Sequence, residues 1–241
     1  MKMDLSACNM MVASTSTLFG GAYLEYLESE LHTLYKDASE IIFIPYARPG
    51  GISHDEYTLK AATAFAKMGK KLRGLHTFDQ PALALQQAEG VFVGGGNTFV
   101  LVNQLYTLDL WDALRMAILK GVPYLGCSAG SNITGVSMQT TNDMPIVYPP
   151  SFTTLGILPF NINPHYLDAD DQSKHMGETR ETRLREFHAY ETTPVVGLRE
   201  GSWIAVRNGQ MQLKGTLSAR WFQANQAAME LPPNTFFDEL M

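Results

Sequence analysis

In Val122-Pro123-Tyr124-Leu125-Gly126-Cys127-Ser128-Ala129-Gly130 a short apolar run breaks into a Gly-x-Ser-x-Gly turn. The run reads as a buried strand, and the glycine-flanked serine as a sharp connection from that strand into a helix. Such a turn is strained and crowded. A side chain at Gly126 or Gly130 would collide with the neighbouring strand or helix, and the turn lifts the Ser128 hydroxyl above the sheet edge. Ser128 is therefore a candidate nucleophile within an α/β sheet.

The same alternation extends upstream. Apolar runs at residues 9–13, 41–45, 72–77 and 90–93 read as strands, with 122–125 as the fifth. Between the first two, Leu24, Leu27, Leu31 and Leu34 recur at helical spacing within 21–36 and leave Glu25, Glu28 and Lys36 for solvent. Further helices are predicted over 55–68, after Asn97 as an N-cap, and over 109–120. Strands alternating with helices predict a mostly parallel sheet covered by helices on both faces. Downstream, 151–164 reads as mostly extended and 177–190 as a charged helix. Residues 194–198, 203–207 and 211–213 read as short strands, with Asn208-Gly209 turning between the last two. That tail predicts an antiparallel extension. No repeat, low-complexity tract or linker interrupts the chain, so residues 1–241 are expected to form one domain.

Composition narrows the function. The 241 residues are 45% hydrophobic and 17% charged with a net charge of −6, ordinary for a globular protein and unsuited to a nucleic-acid backbone. Cys8 and Cys127 are the only cysteines, too few and too far apart for a disulfide scaffold or a zinc site. This predicts a reducing, cytoplasmic setting. No stretch approaches the ~18 apolar residues of a membrane helix, so no membrane partner is expected.

A serine needs a base, and the chain offers His32, His54, His76, His165, His175 and His188. His165 stands apart, because Ile162-Asn163-Pro164-His165-Tyr166 places it where an extended segment ends, the setting in which active sites of open α/β sheets gather. Two carboxylates are candidates to orient that base. Asp143, in Thr140-Thr141-Asn142-Asp143-Met144-Pro145, gives the chain order Ser, Asp, His; Glu200, in Arg199-Glu200-Gly201, lies in a tight turn between strands. Spacing does not choose between them. Gly94-Gly95-Gly96-Asn97 follows a strand and precedes a helix, so amides at Gly95 and Gly96, with that of Ala129, are candidates to hold an oxyanion. The same stretch lacks the Gly-Lys-Ser/Thr of a P-loop and the spacing of a dinucleotide fingerprint. Finally, Arg180 shares a predicted helix face with Leu184 and Phe187, where an arginine needs a partner, either a protein carboxylate or an acidic substrate group.

Five blocks in order carry a resemblance: Gly94-Gly95-Gly96-Asn97-Thr98-Phe99, Gly126-Cys127-Ser128-Ala129-Gly130-Ser131-Asn132, Thr140-Thr141-Asn142-Asp143-Met144-Pro145-Ile146-Val147, Ile162-Asn163-Pro164-His165-Tyr166 and Gly177-Glu178-Thr179-Arg180-Glu181. Together they resemble the peptidase E family of α-aspartyl dipeptidases, over about residues 41–207. The resemblance implies a flavodoxin-like or class I glutamine-amidotransferase-like α/β fold, serine peptidase chemistry with no metal or cofactor, and small Asp-X dipeptides as substrates. A monomer or a homodimer is expected. It also implies Ser128 as nucleophile, His165 as base, Asp143 or Glu200 as the acid, and Arg180 as the residue holding the aspartyl side chain. Two departures stand out: Ser14-Thr15-Ser16-Thr17 lies later than the family's serine-threonine turn, and Cys127 replaces a bulkier aromatic. The alternatives are a cyanophycinase-like β-aspartyl hydrolase and a non-catalytic amino-acid-binding relative. A glutamine amidotransferase would need its nucleophilic cysteine one position later than Cys127.

Overall fold

The computed structural model describes residues 3–170, 172 and 176–240. Strands β1 (Met10–Ala13), β2 (Glu40–Ile44), β3 (Lys71–Gly74), β4 (Val91–Val93) and β5 (Tyr124–Cys127) run parallel; β8 (Ser202–Arg207) pairs antiparallel with β1, and β9 (Gln210–Gly215) completes the sheet antiparallel to β8. The order is β3-β2-β4-β5-β1-β8-β9. Both faces are buried, and the period of two along β1 shows how: Met10 and Val12 enter one apolar layer, Met11 and Ala13 the other. The second layer holds Leu24, Leu27, Leu31 and Leu34, with Tyr57, Ala61 and Phe65 of α2 (His54–Lys67). The first layer is filled by α4 (Thr98–Thr107) and α5 (Trp111–Leu119), through residues such as Leu101, Leu105, Leu114 and Ile118. The chain is thus an α/β protein with a mostly parallel sheet between helices.

Local chemistry sets the element ends. Ser53 and Glu56 form a reciprocal capping box at the start of α2, and the Asn97 side chain accepts the Val100 amide to open α4. Asn208 and Gly209 both take positive φ, 53° and 78°, the conformation of a two-residue hairpin turn between β8 and β9. Several predicted elements are shorter. The helix over 21–36 resolves into a 3₁₀ turn, Glu25–Leu27, and α1 (Glu28–Leu34), because Leu24 sits left-handed at φ 61°. Asp109 belongs to the turn ending α4, at φ 51°, and does not start α5. The third strand stops at Gly74, where Leu75–Thr77 turns and Thr77 Oγ1 donates to the Gly74 carbonyl. One helix escapes the periodicity: α3 (Pro81–Gln86), six residues with proline in its first turn.

The larger difference lies downstream. Residues 151–164 contribute only β6 (Asn161–Pro164), which pairs parallel with β7 (Val195–Leu198). Two further strands, β10 (Ala219–Phe222) and β11 (Met229–Leu231), extend these into a second sheet of order β11-β10-β7-β6. Parallel neighbours require a crossover, and α7 (Arg180–Phe187) supplies it. Phe160, Ile162, Val196 and Trp221 join the first apolar layer, while Leu184 of α7 packs with Tyr166, Val195 and Phe222 on the other side. No helix among the described residues is long and apolar enough to cross a membrane.

Candidate active site

The segments singled out in the sequence follow the C-terminal ends of parallel strands in the two sheets. Ser14 follows β1, Gly94 to Asn97 follow β4, Ser128 follows β5, His165 follows β6, and Glu200 lies just beyond β7. This is the end of an open α/β sheet where ligands bind.

Ser128 sits between β5 and the one-turn helix α6 (Ala129–Asn132) at φ 53° and ψ −108°, a region sparsely occupied by residues with a side chain. The surroundings hold it there. Its amide donates to the Ala13 carbonyl (3.1 Å), and Ser131 Oγ reaches both that carbonyl (2.6 Å) and Gly126 O (2.8 Å). The turn tolerates nothing larger than glycine on either side. A Cβ at Gly126 would lie 2.4 Å from Gly130 O, and one at Gly130 would lie 2.3 Å from Val93 O.

The Ser128 hydroxyl is 2.9 Å from His165 Nε2, and His165 Nδ1 is 2.6 Å from Glu200 Oε1. A carboxylate only accepts, so the proton sits on Nδ1 and leaves Nε2 to accept from the serine. His165 is itself left-handed, at φ 54°, with its amide donating to Ser14 Oγ (2.9 Å), which in turn donates to Leu198 O (2.7 Å). Glu200 projects from a turn closed by Ser202 N donating to Arg199 O (3.1 Å), with Gly201 at φ 90°.

Asp143 is elsewhere. Its Oδ2 accepts from the Thr98 amide (2.8 Å), Thr98 Oγ1 (2.7 Å) and Thr141 Oγ1 (2.8 Å) at the start of α4. Of the two carboxylates that spacing leaves open, Glu200 is the one bonded to His165. The other histidines have other surroundings: His76 bonds Asp55, His54 meets Tyr46 edge-on and His76 at a tilt, and His188 Nδ1 meets the Glu191 carbonyl. His175 lies outside the described residues.

The glycine loop faces the serine. A Cβ on Gly95 would stand 3.0 Å from Ser128 Cβ and 3.7 Å from its Oγ, and Tyr57 OH steadies the loop by donating to Gly95 O (3.1 Å). Gly94 N donates to Ile44 O, Asn97 N to Ala47 O and Ser128 N to Ala13 O, whereas among the described residues the amides of Gly95, Gly96 and Ala129 have no protein acceptor. Donors left unpaired in a fixed cluster are suited to developing negative charge.

Arg180 is the first residue of α7, whose N-cap Thr179 accepts the Thr182 amide. It is half-buried, and among the described residues its guanidinium has no hydrogen bond or ion pair. Burial, then the charge of Arg183, weakens its hold on its proton, while the Asp143 carboxylate acts in the opposite direction. Cys127 plays no comparable part: it is fully buried and burial pushes its thiol far up, so it stays neutral. No cluster of three or more histidine, cysteine or acidic side chains among the described residues is arranged to hold a metal.

Ser14 enters the sequence reading only as the start of Ser14-Thr15-Ser16-Thr17, with no role attached to it. Its place as a joint between β1, β6 and β7 exists only once both sheets are assembled.

The chain is 46% identical over 231 residues to a Drosophila melanogaster protein named "Probable alpha-aspartyl dipeptidase", covering 95% of each. It is also 46% identical over 233 residues to Peptidase E of Streptomyces coelicolor, covering 97% of this chain and 95% of that one. The crystal structure of a peptidase from an acI-B1 actinobacterium superposes with a TM-score of 0.70 over 95% of this chain and 96% of that one, at 16% identity, a likeness of fold alone. The model of peptidase family S51 matches residues 10–214, a span that takes in Ser128, His165 and Glu200, and the chain belongs to that family.

Proposed function

We propose that this chain is a serine dipeptidase that hydrolyses dipeptides with an N-terminal aspartate. The observation that carries the reading is the relay from Ser128 Oγ to His165 Nε2 (2.9 Å) and from His165 Nδ1 to Glu200 (2.6 Å), in a chain of family S51. The names of its relatives support the aspartyl substrate.

In this mechanism Ser128 Oγ attacks the peptide carbonyl as His165 Nε2 takes its proton. Glu200 keeps the ring in the tautomer with hydrogen on Nδ1 and stabilises the imidazolium that forms. The oxyanion rests on the free amides of Gly95, Gly96 and Ala129. His165 then protonates the leaving amine, and a water activated by the same ring releases aspartate from the acyl-enzyme. Arg180, half-buried and without a protein partner among the described residues, pairs with the aspartyl side-chain carboxylate.

Turnover of Asp-Leu by the Ser128→Ala protein should fall by roughly four orders of magnitude or more, since a relay acts as a unit. Retained hydrolysis would refute the assignment. Arg180→Ala should lower kcat/KM for Asp-Leu by about 10- to 150-fold, the worth of a charged hydrogen bond, with little change for Ala-Leu. Equal losses on both dipeptides would remove Arg180 from substrate recognition.

A further inference from the structure

An N-terminal aspartyl residue carries two opposite charges close together, the side-chain carboxylate and the free α-ammonium. Arg180 answers the first. The second needs an anion beside the glycine loop, and the relay uses Glu200 elsewhere.

Asp143 occupies such a place. Its neighbour Asn142 donates from Nδ2 to Pro164 O (2.6 Å), the residue before His165, and Asn97 Nδ2 donates to Met144 O (2.9 Å) beside the glycine loop. Residues 142–144 are therefore pinned between the segment that carries the base and the segment that carries the oxyanion amides. Asn163 Nδ2 adds bonds to Thr140 O and Asn142 Oδ1, both at 2.8 Å. Of the Asp143 carboxylate, Oδ2 is committed to Thr98 and Thr141, whereas Oδ1 has no protein partner among the described residues. The side chain is only partly buried, so an incoming cation can reach it.

We infer that Asp143 and Arg180 form a paired receptor for the whole N-terminal aspartyl unit, Arg180 binding its side-chain carboxylate and Asp143 Oδ1 its α-ammonium. The inference rests on the aspartyl dipeptidase reading above. The receptor explains a restriction that the relay alone does not impose: an acylated or internal aspartate has no ammonium, and it would leave the Asp143 carboxylate facing an uncharged amide. Opposite charges on protein and substrate also orient the aspartyl unit, since turning it end for end would place like charges together.

The test compares Asp-Leu with succinyl-Leu, the same molecule without its ammonium, on the purified full-length chain. The unmodified protein should favour Asp-Leu by about 10- to 150-fold in kcat/KM, the range for one hydrogen bond to a charged group. In Asp143→Asn, which retains an oxygen for the Thr98 amide and the Thr141 hydroxyl, that preference should collapse toward unity. A protein that cleaves both substrates equally well before any substitution overturns the inference without recourse to a variant. So does an Asp143→Asn protein that loses activity equally on both, the pattern of a triad acid or a purely structural residue. Failure of the underlying reading looks different: Asp-Leu would then be left intact by the unmodified protein or cleaved without Ser128.

Discussion

His165 is held at three points, and each belongs to a different segment. Its amide is fixed by Ser14, its Nδ1 by Glu200, and its Nε2 faces Ser128. The serine and the histidine were legible in the sequence because each stands at an abrupt junction, one between glycines and one after a proline. The acid was not. Triad partners are defined by geometry and not by chain order, and nothing in Thr141-Asn142-Asp143 reveals that Thr98 and Thr141 already occupy one of its oxygens. Glu200→Gln keeps the volume of the side chain but removes the charge that stabilises the imidazolium, and its amide group can favour the wrong tautomer. It should lower kcat for Asp-Leu by about 10³- to 10⁴-fold with a small effect on KM. Steady-state kinetics would check this; a loss under tenfold would leave His165 without a needed carboxylate partner.

Among the elements, strands β1, β2, β4 and β5 were legible because their apolar runs are buried on both faces, and the hairpin because Asn208-Gly209 specifies its own turn; the edge strand β3, with Lys71 and Arg73 exposed, has no such run. The second sheet was not legible, since β6 and β7 are four residues each and choose one another only through a crossover of about 30 residues. Nor was α3, too short to show a period. One joint between the two sheets is a hydroxyl. Ser14 Oγ, buried, accepts from His165 N and donates to Leu198 O, tying the end of β1 to the ends of β6 and β7. Ser14→Ala strands a part-buried amide and a carbonyl at the same place, and should cost about 1–3 kcal/mol in urea unfolding. Because the stranded amide belongs to His165, kcat should fall as well, under conditions where the variant remains fully folded. Normal kcat in a destabilised protein would show that Glu200 and Ser128 suffice to place the ring.

At the scale of the molecule, a chain of ion pairs runs from α7 across the second sheet. Arg185 and Arg220 share Glu181 of α7 (2.6 and 3.1 Å), Arg220 also reaches Glu230 of β11 (3.4 Å), and Arg199 bonds both Glu230 and Asp168, the latter through two nitrogens at 2.7 and 2.8 Å. Arg180 precedes the first carboxylate of this chain in sequence and Glu200 follows its last arginine, so the network joins the segments that carry these two residues. The hydrogen bond from Arg199 holds Asp168 below its ordinary value of 3.8. For Glu230, burial pushes upward, but bonds from Arg199 and Ser218 together bring it below 4.5. Groups depressed in the folded state add stability that is complete above their unfolded values and lost as pH falls through the folded ones. Arg199→Met keeps the apolar stem and removes the pairing. It should destabilise the protein at pH 7 by about 1–2 kcal/mol, modest because both carboxylates are half in solvent. As the pH falls through about 4 and below, the unmodified protein loses the contribution of Arg199 while the variant, left with Ser218 and Arg220 beside Glu230, has less to lose, so their urea midpoints should draw together. A gap that stayed constant down to pH 3 would mean that Arg199 acts through its bonds to Ser218 and its packing against Tyr166, whose ring centroid lies 5.7 Å from its guanidinium carbon, and not through its carboxylates.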